Sequence, residues 1–163
     1  MKWGMRAMGA FLALAAMLAG SAGPDDLSAR LDARSGNQEQ SIAGQAATAP
    51  PGTRPVLNVK AGALIRVKWS VTNGDKPGVI HDVTVHCFLA REEAPGQREA
   101  PKLGANAVYE SALMMDFAAK ARSTADFSLQ APSPGIYLLR VETIGAAKEH
   151  GHEHYAAMDI KVQ

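Results

Sequence analysis

From Pro55 onward the apolar residues recur at every second position, in short runs broken by Gly, Pro and Asn. That period belongs to strands. Successive side chains of an extended chain point to opposite sides, so alternation yields one apolar and one polar face. An amphipathic helix would repeat its apolar residues every three or four positions instead. Seven strands are predicted, over 55–60, 64–73, 79–90, 107–117, 124–130, 135–143 and 153–162. In the second, Ile65, Val67, Trp69 and Val71 share a face, with Arg66, Lys68, Ser70 and Thr72 opposite. In the third, Val83, Val85, Cys87 and Leu89 alternate with Thr84 and His86. Half-apolar strands bury their faces against one another, so two antiparallel sheets stacked as a sandwich are expected over 55–163.

Two local sequences bear on how these strands connect. Asn73-Gly74 and Pro77-Gly78 supply turn chemistry for a hairpin between the second and third strands. Pro134-Gly135-Ile136-Tyr137 opens a strand with a tyrosine near its start. This resembles the tyrosine corner of immunoglobulin-like domains, in which the phenol hydroxyl bonds back to the preceding backbone. The resemblance implies an all-β, immunoglobulin-like antiparallel β-sandwich of about seven strands. It departs from that family in two respects. Cys87 is the only cysteine, so the paired cysteines are missing, and Trp69 lies on the second strand, not the third. The resemblance therefore speaks to architecture, since sandwiches host unrelated activities.

Residues 1–23 read as a signal peptide: Lys2 and Arg6 precede the apolar run Ala7 to Ala19, and small residues Gly20 and Ala22 follow. Cleavage is expected after Ala22 or Gly23. The run falls short of the roughly 20 apolar residues of a membrane span. A periplasmic or secreted product with no integral membrane segment is expected, and its partner would be an envelope or extracellular protein. Loss of Lys2 and Arg6 lowers 17 basic residues to 15, against 16 acidic ones. That balance lacks the basic excess of nucleic-acid binders. With one cysteine there is no intramolecular disulfide, and stability rests on the hydrophobic core. Residues 24–54 contain no aromatic residue and few large aliphatic ones. Ordering a backbone costs roughly 1–2 kcal/mol per residue, so this stretch is expected to be a flexible leader before the domain at 55–163.

One cluster suggests chemistry. Glu149-His150-Gly151-His152-Glu153-His154 precedes the last strand. Side chains two apart on an extended chain share a face, so His150, His152 and His154 can converge on one ion. Imidazole suits copper or zinc, and Met158 and His81 are further candidate ligands. The same histidines also read as ordinary polar loop residues. A blue-copper site is disfavoured because Cys87 sits mid-strand, where cysteine behaves as a small buried hydrophobe. His86 is placed on the opposite face. No nucleophile elbow, zinc-protease helix or phosphate loop occurs. Adjacent Glu92 and Glu93 point to opposite faces and read as solvated, so no catalytic residue is assigned. They open the long segment Arg91 to Asn106, where a rigid sandwich would carry a binding loop.

These readings give an exported, non-catalytic binding or interaction module with a copper or zinc site at the histidines. The alternatives are a purely structural or protein-interaction sandwich without metal and, third, a metal-dependent hydrolase.

Overall fold

The computed structural model describes residues 27–46, 53–74, 78–145 and 154–163. The signal-peptide reading lies outside them. They form ten strands: β1 (Leu27–Ser35), β2 (Gln38–Ala43), β3 (Gln45–Ala46), β4 (Val56–Val59), β5 (Leu64–Asn73), β6 (Ile80–Glu92), β7 (Ala107–Phe117), β8 (Arg122–Gln130), β9 (Gly135–Gly145) and β10 (His154–Val162). The single helical element among the described residues is a 3-10 turn at Gly104–Asn106. No helix among the described residues is long and apolar enough to cross a membrane.

The strands make an all-β sandwich. The smaller sheet has the order β2-β1-β5-β8. The larger runs β7-β6-β9-β10, and the far edge of β10 is shared by two short strands. β3 pairs antiparallel with its beginning at His154 and Tyr155, and β4 pairs parallel with its end from Asp159 to Val162. The expected antiparallel architecture thus contains one parallel pair. All seven predicted strands are present.

The leader requires correction. Residues 27–46 form β1, β2 and β3, and β1 lies inside the smaller sheet between β2 and β5. Its register with β5 runs from Leu27 opposite Asn73 to Arg34 opposite Arg66. Leu27, Ala29, Leu31 and Ala33 point inward and are buried, whereas Ser28, Arg30 and Arg34 are exposed. The stretch does alternate, but half of its inward positions are alanine. What orders it is backbone pairing on both sides together with burial of Leu27 and Leu31.

From β2 to β3 the chain leaves one sheet for the other at Gly44. The Gly44 N–H donates to Ala29 O. A Cβ at position 44 would lie 2.6 Å from that oxygen and 3.1 Å from Tyr155 O, so the close approach of three strands there requires glycine.

The connection from β5 to β6 is a second correction. It is not a hairpin, because β5 pairs with β1 and β8 while β6 pairs with β7 and β9. The Asn-Gly and Pro-Gly signals mark a crossing between the sheets. Turn residues set local backbone geometry and carry no information about which strand will be the partner.

The core lies between the sheets. Ile65, Val67, Trp69 and Val71 of β5 face Val85, Cys87 and Leu89 of β6, with Leu139 of β9 and Met158 and Ile160 of β10. Cys87 is buried, and burial pushes its thiol up to about 12, so it stays protonated and unreactive. The tyrosine corner forms as the sequence indicated: Tyr137 Oη donates to Ser133 O at 2.7 Å.

Candidate functional site

The outward face of the larger sheet is not bare. After β6 the chain continues as the predicted long loop and folds back over this face. Its Leu103 joins Phe88, Ala90, Leu138, Ala157 and Tyr155 in a small apolar cluster separate from the main core. Apolar residues at the outward positions of β6, β9 and β10 make this possible, since those strands are apolar on both faces at their centres.

A buried ionic group anchors the loop at its root. Arg54 Nη2 donates to both carboxylate oxygens of Glu92, at 2.9 and 3.0 Å. Arg54 Nε stands 3.0 Å from Asp159 Oδ1. The Glu92 and Asp159 side chains are 0% and 1% exposed. Asp159 Oδ2 accepts the Gly96 N–H at 2.8 Å, which ties the loop to β10. Two carboxylates thus share one guanidinium away from water. Burial pushes Glu92 up to about 7; Arg54 opposes that rise, and the neighbouring Asp159 adds to it. The solvated reading of Glu92 is corrected. Glu93, on the opposite face as expected, is the exposed one.

Beside this group, between loop and sheet, is a cavity of about 120 Å³. Gly96, Gln97, Arg98 and Ala100 form its roof, Leu138, Arg140, Tyr155 and Ala157 its floor, and Ile42 and Arg54 its side. Arg140 is held by two contacts. Its Nε is 2.6 Å from Glu142 Oε2, and its Cζ lies 4.1 Å above the Tyr155 ring centroid, a cation–π geometry. Glu142 in turn meets His86 Nδ1 at 2.9 Å, and His86 Nε2 meets Glu110 at 3.0 Å. A row of polar contacts therefore crosses β7, β6 and β9 and ends at the cavity floor. No carboxylate among the described residues pairs with Arg98, which is exposed.

A larger hollow, about 460 Å³, lies on the outward face of the smaller sheet among Arg30, Asp32, Arg34, Arg66, Lys68 and Asp126. It is open to solvent, and Arg30 pairs there with Asp32 at 2.9 Å. Charges in water grip a ligand weakly, so the roofed cavity is the better-built site.

Of the sequence-predicted ligands, His154, Met158 and His81 fall among the described residues. His150 and His152 lie outside the described residues. His154 begins β10 on the inward side and is buried, with its backbone N–H directed at Thr143 Oγ1 at 3.3 Å. Met158 shares that face four residues further on, about 13 Å away by strand rise, and is fully enclosed in the core. His81 is exposed, with Nδ1 3.0 Å from Asp116 Oδ2. Asp116 also accepts the N–H of Asp82, which adopts a left-handed φ of 56° at a bulge in β6. His81 thus belongs to the bracing of that bulge. Among the described residues no group of three His, Cys, Asp or Glu could hold a metal ion.

Arg54, Asp159 and Arg140 escaped the sequence reading. One signal was available: Asp159 stands between Met158 and Ile160 in the apolar last strand, where a carboxylate needs a buried partner.

No protein-family model matches the chain, and no curated protein matches it. Among solved structures it is similar to a family 123 glycoside hydrolase from Clostridium perfringens, described in work on glycolipid glycan hydrolysis, with a TM-score of 0.41 and 12% identity over 67% of this chain. The matched region is 23% of that enzyme's chain, and a likeness this loose carries no argument about activity.

Proposed function

We propose that the protein is a non-catalytic binding module and that its binding site is the cavity roofed by the 93–103 loop. The observation behind this reading is the construction of that cavity. A loop is pinned by a buried ionic group over a sheet face apolar enough to hold it, and it encloses space between them instead of packing flat. Binding loops positioned by a rigid sandwich are a common arrangement. The carboxylates beneath the cavity are engaged with Arg54, which leaves guanidinium and apolar groups facing the ligand and favours binding over general acid–base chemistry.

A panel of small molecules followed by NMR of the labelled protein tests the site. Ligands are expected to move the amide signals of Gly96 to Ala100, Arg140, Tyr155 and Ala157, and Ala100→Trp, on the exposed roof, should abolish those shifts without unfolding the protein. Binding that maps instead to Arg34 and Arg66 on the opposite sheet would refute the reading.

The transition-metal proposal has one observation in its favour. His154 opens β10 directly after the segment carrying His150 and His152, at the sheet end where β6 begins near His81. Titration with Cu(II) and Zn(II) should then show binding that weakens as pH falls through about 6.5, where free imidazole protonates. Equal affinity in a His150→Ala/His152→Ala variant would remove the metal from the function.

A further inference from the structure

The cavity also constrains the chemistry of its occupant. We infer that it takes a short-chain carboxylate, with the carboxylate on the guanidiniums of Arg98 and Arg140 and the carbon chain on Leu138 and Ala157. This inference rests on the reading of the cavity as the binding site.

Size comes first. A cavity near 150 Å³ accommodates benzene, with six non-hydrogen atoms; at about 120 Å³, this one suits roughly four to six such atoms. Acetate, propionate and butyrate fall in that range.

Charge comes second. Of the three arginines on the cavity, Arg54 is engaged through Nε and Nη2 with Asp159 and Glu92. Arg140 uses Nε for Glu142, which leaves its two Nη groups for another acceptor. Arg98 brings a guanidinium with no carboxylate partner among the described residues. Stacking on Tyr155 fixes the Arg140 plane in advance, and a planar guanidinium matches a carboxylate through two parallel hydrogen bonds.

The lining comes third. Leu138, Ala157, Ile42 and Ala100 present carbon, not donors, to the rest of the space. An inorganic anion would leave that wall without a partner, and a neutral hydrocarbon would leave the arginine donors without one. An amphiphilic acid satisfies both.

Calorimetry and NMR with acetate, propionate, butyrate, butyramide and inorganic phosphate test this on the purified protein. Butyrate is expected to bind best and to shift the cavity amides, and Arg98→Gln, a change at an exposed position, should weaken it by about tenfold or more. Loss of that charge-assisted bond would leave the melting temperature unchanged. Butyramide binding at the cavity as well as butyrate would overturn the carboxylate while leaving the site intact. Phosphate binding more tightly than butyrate would overturn it too. No shift at the cavity with any of these probes or with the wider panel would remove the site and the inference together.

Discussion

A chain that begins at Thr53 is expected not to fold. Such a chain keeps every strand the alternation makes obvious, yet it lacks β1, which sits between β2 and β5 in the smaller sheet. Its loss frees one side of β5 along the register from Arg66 to Asn73 and opens the core where Leu27 and Leu31 lay. Burial of a leucine is worth about 1.5–3 kcal/mol, and a whole domain is stable by only about 5–15 kcal/mol. Two leucines, two alanines and a strand of hydrogen bonds therefore exceed what the domain can lose. The milder substitution Leu31→Ala should cost about 2–5 kcal/mol. Circular dichroism and NMR dispersion of the shortened chain measure the outcome. Cooperative melting of that chain would show that β1 is dispensable and that the domain begins after it.

The second large effect is expected at Arg54. In Arg54→Met, Glu92 and Asp159 keep their burial and lose their shared cation. Breaking a buried ion pair from one side costs about 3–5 kcal/mol, so the variant should be unfolded or barely folded at pH 8. The loss should shrink on acidification, because protonated carboxyls need no counter-charge. In the unaltered protein the sign follows from Glu92. Its folded value, about 7, is raised above the ordinary 4.5. The folded state therefore holds that proton more tightly, and the resulting stability is full below about pH 4.5 and lost as pH rises through 7. At about 1.4 kcal/mol per unit this amounts to roughly 3 kcal/mol. Glu92→Gln removes the titration but keeps an amide beside Arg54, so its melting temperature should stay level between pH 5 and 8 while that of the parent falls. Parallel pH profiles for the two proteins would show that Glu92 is not the group responsible.

How much of this was legible in the sequence depends on whether the signal was local. β5 announces itself because large apolar side chains, Ile65, Val67, Trp69 and Val71, occupy four successive inward positions. β1 has the same period, but Ala29 and Ala33 stand where larger residues would have made it conspicuous. A reading weighted toward composition therefore assigns it to unstructured chain. The Tyr137 corner was readable because its partner, Ser133, is four residues away. The Arg54–Glu92–Asp159 group was not, since its members come from β6, β10 and the segment before β4, and only the folded sheet brings them together. The loop illustrates both cases. Its length marked it as a place for binding, but the side of the sandwich it would cover depended on Asp159, 63 residues from Gly96.

The double capping of β10 has a consequence for how this protein is made. β3 and β4 are translated early, yet the strand they dock against is the last of the ten to be made. At about 5–20 residues per second, the roughly one hundred intervening residues take about 5–20 s to synthesise. Through that interval the nascent sandwich has an unfinished margin that no local rearrangement can close. Synthesis of β10, not collapse, sets when that margin closes.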